Sequence, residues 1–174
     1  MRYRFSNKFS LDLQTNSTVE ENQLGYAFIR ETNGDPIVGF RDNRDFTSVL
    51  SGIYNFTSKL NLTIRARHYW NKVNYSSFHD VDAKGYLLPK AFIPMQDQNV
   101  NIFNLDAFLT WDFRLGSKFI AGYKNWLGDN EMVNITGNND YLKNLGGVFD
   151  LRHGNELTVR FIYFLDYNQV RKKN

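Results

Sequence analysis

The sequence predicts an all-β fold, an antiparallel membrane β-barrel of which this chain supplies about eight strands, and three observations carry that expectation. An aromatic residue, a short turn ending in Lys and a fresh apolar/polar alternation follow one another three times: Phe5-Ser-Asn-Lys8-Phe9, Phe56-Thr-Ser-Lys59-Leu60 and Phe113-Arg-Leu-Gly-Ser-Lys118-Phe119. Short turns of this kind join antiparallel strands, and an aromatic beside each turn is where a membrane barrel places its interfacial girdle. Aromatic residues make up 16% of the 174 residues. The mean hydropathy is nevertheless −0.49, as expected when apolar residues alternate with polar ones instead of clustering. No run approaches the roughly 18 apolar residues of a spanning helix.

Each strand is read from the rule that successive side chains point to opposite faces. Met1 to Phe5 reads as the end of a strand descending to the first turn. Phe9, Leu11 and Leu13 then oppose Ser10, Asp12 and Gln14, and residues 24–29 repeat the scheme more weakly. Residues 36–41 follow Thr32-Asn-Gly-Asp35, whose Asn-Gly pair suits a tight hairpin, and 46–56 lead into the second turn. The clearest strand sets Leu60, Leu62, Ile64, Ala66, His68 and Trp70 against Asn61, Thr63, Arg65, Arg67 and Tyr69. Phe103, Leu105, Ala107, Leu109, Trp111 and Phe113 oppose Asn104, Asp106, Thr110 and Asp112, and residues 119–124 continue the alternation. Leu157, Val159, Phe161, Tyr163, Leu165 and Tyr167 against Thr158, Arg160 and Asp166 close the series. Between them, residues 141–149 have the composition of a short helix weakened by two glycines.

Connections at residues 6–8, 32–35, 57–59 and 114–118 are short, and longer ones near 17–22, 42–45, 79–100 and 127–155 alternate with them. Short turns on one rim and long loops on the other is the outer-membrane pattern, with the short turns periplasmic. Met1 to Ser10 contains no apolar stretch of an export signal, so either the chain is not such a barrel or residue 1 is an internal point of a longer precursor, and the partial strand at Met1 to Phe5 favours the second. Residues 1–174 are accordingly expected to be one domain, the C-terminal part of an outer-membrane β-barrel, and not a self-sufficient barrel, although eight strands could in principle close.

A net charge of +3 is spread over 21 basic and 18 acidic residues, with only Arg171-Lys172-Lys173 forming a run, which argues against nucleic acid as a partner. Zero Cys excludes disulfides and thiolate chemistry. His68, His79 and His153 have no metal-ligand spacing, no Ser alternates with His68 to form a hydrolytic pair, and no phosphate loop follows a strand. No catalytic residue, cofactor or metal site is expected, and the chain is not expected to be an enzyme. The candidate functional residues are the charges on the polar faces: Asp12, Arg65, Arg67, Asp106, Asp112, Lys124, Arg160 and Asp166. Facing a lumen, they either pair into a network that plugs or stiffens the barrel or line a selective aqueous path. Tyr69, Trp70, Tyr75 and Phe78, with residues 86–94, fit either a sugar-stacking surface or an interfacial girdle.

Several stretches together resemble the C-terminal barrel of a family from Bacteroidetes-type bacteria. They are Phe5-Ser-Asn-Lys-Phe9, Ile37-Val-Gly-Phe-Arg41, Leu62-Thr-Ile-Arg-Ala-Arg-His-Tyr-Trp70 with Val73 and Tyr75, Phe103-Asn-Leu-Asp106, Gly116-Ser-Lys118 and Phe161-Ile-Tyr-Phe-Leu-Asp-Tyr167. The family comprises outer-membrane proteins of unknown function with a family-9 carbohydrate-binding-like module before the barrel. The resemblance implies a barrel at the end of a longer polypeptide, localised to the bacterial outer membrane. Its implied partners are outer-membrane lipid and, through the upstream module, glycans.

The expected role is therefore an outer-membrane barrel segment that anchors an envelope protein and serves as a pore or docking surface in glycan handling. A soluble lipocalin-like ligand-binding barrel is the alternative, and an envelope hydrolase with its active site outside this segment is a third. Apolar faces with aromatic ends, opposed by charged faces, invert the soluble plan and favour the first.

Overall fold

Alternating apolar and polar residues build one antiparallel sheet in the computed structural model, which describes residues 1–30, 34–94, 96–133 and 141–165. Its eight strands are β1 (Arg2–Arg4), β2 (Phe9–Arg30), β3 (Pro36–Asn55), β4 (Leu60–Val81), β5 (Leu87–Lys90), β6 (Asp97–Arg114), β7 (Ser117–Val133) and β8 (His153–Ile162). Helix α1 (Tyr141–Gly147) and a 3-10 turn at Val148–Asp150 precede β8. The strand order is β1-β2-β3-β4-β6-β7-β8, with β5 paired to β4. The sheet is open: β1 and β8 are its two edges. Past Leu13, β2 is bonded only to β3 among the described residues, so no ladder closes the sheet into the predicted barrel.

The strands are longer than sequence alternation indicates. Segments 9–14 and 24–29 belong to the single 22-residue β2, and 36–41 and 46–56 to the 20-residue β3. The connections expected near 17–22 and 42–45 are strand, paired from Ser17↔Phe46 to Glu20↔Asn43. Polar side chains there end the alternation but not the backbone ladder. The irregularity is a bulge between Glu20 and Gln23, where Asn22 adopts φ 53° and donates its N–H to Asp42 Oδ1 at 2.9 Å. One consequence is a reassigned rim. β2 ends and β3 begins on the rim where β4 and β7 end and β6 and β8 begin, opposite the turns after β1, β3 and β6. Of Thr32-Asn-Gly-Asp35, Thr32 and Asn33 lie outside the described residues.

Two of the recurring turns share one geometry. Ser6 Oγ accepts the N–H groups of Lys8 and Phe9, both at 3.1 Å, and Thr57 Oγ1 accepts those of Lys59 and Leu60 at 3.1 and 3.0 Å. A hydroxyl at this position satisfies two backbone donors that the turn leaves unpaired, which is why Ser and Thr recur there. The third turn is tighter, with Gly116 at φ 75°.

Register assigns each side chain to a face. Leu13, Leu50, Ala66 and Leu105 fall in one cross-strand row, and Leu62, Leu109 and Ala121 in another. This apolar face ends at the short-turn rim in an aromatic margin. Phe5 stacks on Phe9 at 5.0 Å, Phe9 lies 6.2 Å from Tyr54, and Phe113 stacks on Phe161 at 5.3 Å. The opposite face carries the charges and, towards the long-loop rim, a small core of Ala27, Ile37, Val73, Tyr75 and Phe78. A bulge opposite Phe40 and Arg41 leaves Ser76 unpaired and turns Phe78 to the same side as Val73 and Tyr75. Gly39 admits the Tyr75 ring, since a Cβ there would lie 2.7 Å from Tyr75 Cδ1. The chain after β5 folds over this core, with Ile93 packed on it and Phe92 5.5 Å from Phe78.

Candidate functional site

Six charges line up in one cross-strand row on the polar face. Following the register from edge to edge gives Arg2, Asp12, Ser51, Arg65, Asp106, Lys124 and Glu156. Sign alternates from each charge to the next, so the row is formally neutral. Facing neighbours in an antiparallel pair bring Cβ atoms to about 5 Å, close enough for opposite charges to attract and like charges to repel. Lys124 Nζ stands 3.8 Å from Glu156 Oε1, the row's closest ion pair among the described residues. Both side chains are about half exposed, so this pair contributes little stability by itself. The row's chemistry is a neutral, polar stripe with high local fields, suited to lining water.

The sequence-predicted residues divide by height on the strands. Asp12, Arg65, Asp106 and Lys124 meet in the row, whereas Arg67 is one row above it, opposite Val49 and Asn104. Arg160 lies nearer the short-turn rim, opposite Ile120. Asp112 is close to that rim and 3.6 Å from Lys118 Nζ. Asp166, with Tyr167 and the Arg171-Lys172-Lys173 run, lies outside the described residues. Arg2 and Glu156 complete the row and escaped sequence reasoning. Arg2 could be reached by counting the register outward from the turn at 6–8, whereas Glu156 follows a long connection and is placed only by the β7–β8 pairing itself.

A second constellation lies on the apolar face, where α1 docks. Tyr141 places its ring 4.3 Å from that of Phe46 and 5.2 Å from His68, and its hydroxyl 3.1 Å from Ser48 Oγ. Asn101 Nδ2 donates to the Asn144 carbonyl at 2.8 Å, which leaves Asn101 Oδ1 as the acceptor for His68 Nε2–H, also at 2.8 Å. Asn99 repeats the arrangement, donating to Asn144 Oδ1 at 2.9 Å and accepting from Trp70 Nε1 at 3.0 Å. His68 is only 2% exposed, and its Nδ1 has no partner among the described residues. His68 and Trp70 thus lie under a helix instead of on an open wall.

The aromatics weighed as a sugar platform or girdle are distributed differently again. Tyr75 and Phe78 are buried in the long-loop core at 6% and 1% exposure, and their rings stack on one another at 5.2 Å. Trp70 is covered, and Tyr69 lies on the charged face, opposite Thr47 and Ile102. Among the described residues, no three His, Cys, Asp or Glu side chains are grouped as metal ligands. No helix among them is long and apolar enough to cross a membrane, which says nothing of crossing by strands. No curated protein and no solved structure matches the chain. The model of a family described as a domain of unknown function (DUF5916) matches residues 1–174, and the chain belongs to that family.

Proposed function

We propose that this chain is a wall segment of an outer-membrane β-barrel that anchors an envelope protein, its apolar face against lipid and its charged face toward a lumen. The observation that carries the reading is the uncovered apolar face. Ile64, Leu50, Leu13, Val159 and Phe161 are between 41% and 69% exposed, whereas a soluble barrel would turn them inward. Helix α1 and the 3-10 turn after it continue that surface over the polar seat, because Leu142 and Phe149 remain 74% and 60% exposed. From Leu60 to Trp70 the strand rises about 33 Å, or about 25 Å along the membrane normal at a tilt near 40°, which matches the apolar band of membrane barrels.

In this reading the alternating charges from Arg2 to Glu156 line a wet interior, and further strands complete the wall at β1, β2 and β8. Open edges in lipid cost several kcal/mol per unsatisfied backbone group, which favours such strands. The glycan-handling role and the upstream carbohydrate-binding-like module rest on the family resemblance alone. Spin labels at Ile64 and Arg65 test the orientation in reconstituted full-length protein. Quenching of the Ile64 label alone by a lipid-soluble reagent is expected. Equal quenching of both, or a monodisperse detergent-free protein, would overturn the proposal.

A further inference from the structure

We propose that Arg44 and Lys72 hold the phosphate of an outer-leaflet lipid headgroup, an inference that rests on the membrane reading above. The two residues face each other in register on β3 and β4, one step beyond the Phe46–Trp70 pair that carries α1. They therefore share the apolar face and stand where it ends. From Leu60 to Lys72 the strand rises about 40 Å, or about 30 Å along the normal at a 40° tilt, so the pair reaches the far headgroup level. Neither side chain makes an ion pair or hydrogen bond with the described residues, unlike the charges at Lys118, Lys124 and Lys90.

The pair lines a pocket of about 140 Å³ together with Asp42 and Asn74. That space is several times the ~30 Å³ share of one water molecule and accommodates a tetrahedral anion. Asn74 Oδ1 is buried and has no partner among the described residues, an acceptor that a headgroup hydroxyl would satisfy. Asp42 lowers the pocket's charge, but two cations face its one carboxylate, and its Oδ1 already accepts the Asn22 N–H at 2.9 Å. A lipid phosphate meets all these features at once: the anion falls between two cations, and its acyl chains lie over α1, where Leu142 is exposed, toward the apolar band beyond the helix. Basic pairs at this depth recognise phosphate by charge, with hydrogen bonding to the guanidinium fork.

Native mass spectrometry of the detergent-solubilised full-length protein tests the proposal with phosphatidylglycerol, diacylglycerol of the same chains and inorganic phosphate as probes. Retained phosphatidylglycerol, no retained diacylglycerol and no displacement by millimolar phosphate are expected. The variant carrying Arg44→Gln and Lys72→Gln should lose about tenfold or more in apparent affinity, and Lys84→Gln, in a loop of the same rim, should lose little. Equal retention by the double variant, or equal loss in Lys84→Gln, would overturn the assignment. Saturation by inorganic phosphate would overturn the lipid as its source. Quenching of an Ile64 label beside an unaffected double variant would sink this inference alone. An unquenched Ile64 label would remove the membrane reading with it.

Discussion

Asn101 Nδ2 donates to the Asn144 main-chain carbonyl at 2.8 Å, joining β6 to α1 across 43 residues of chain. Through its Oδ1, the same side chain holds His68 at 2.8 Å. Replacing Asn101 by Leu would remove the side-chain donor that ties the Asn144 carbonyl to β6 and leave a His68 ring nitrogen unsatisfied beneath the helix, at about 1–3 kcal/mol for a buried polar group. Hydrogen exchange of the α1 amides should accelerate strongly in Asn101→Leu, while the β3–β4 ladder stays protected. Unchanged protection of α1 would mean that the aromatic contacts of Tyr141 suffice to dock it.

The alternating row makes charge reversal worse than charge removal. Asp106 stands between Arg65 and Lys124 in register, so Asp106→Asn removes one attraction on each side whereas Asp106→Lys creates two repulsions. The reversal should be less stable than the neutral variant by about 1 kcal/mol in low salt, with the gap closing as salt is raised. Urea unfolding of the two variants in detergent at both ionic strengths measures this. Identical stabilities in low salt would show that solvent already screens the row.

Ile64 and Arg65 are adjacent in sequence and opposite in face. Ile64→Arg should cost about 2–4 kcal/mol in a bilayer if the apolar face meets the membrane centre, while Arg65→Gln should cost far less. Unfolding equilibria in lipid vesicles compare them. Similar costs would remove the assigned orientation.

Gly39 is set by space. A Cβ there would lie 2.7 Å from Tyr75 Cδ1 and 2.9 Å from the Ser77 carbonyl oxygen. The carbonyl belongs to the backbone and cannot swing aside, so Gly39→Ala should destabilise the long-loop end by about 1–3 kcal/mol. Limited proteolysis is expected to cut the β4–β6 connection faster in this variant, with the turns at 6–8 and 57–59 unaffected. Wild-type cleavage rates would show that the strand shifts at no cost.

The hairpin turns and the two faces were legible in the sequence because both arise from local rules. Alternate side chains leave opposite sides of a strand whatever its neighbours are. Ser6 and Thr57 cap the backbone donors of residues two and three positions on. The sequence likewise determined that Arg65, Asp106 and Lys124 would share a face.

Tertiary structure alone decided what those faces meet. The polar stretches within β2 and β3 extend as strand because each supplies the other's backbone partners, a pairing invisible in either segment. Arg2 and Glu156 join the charge row only through register carried across five intervening strands. His68 and Trp70 follow the apolar alternation, yet they lie beneath α1 because Asn99, Asn101 and Asn144 offer one another matching donors and acceptors. Alternation is a steric property of neighbouring residues, whereas ladders and docked helices depend on groups far apart in the chain, and sequence period carries no information about which of these meet.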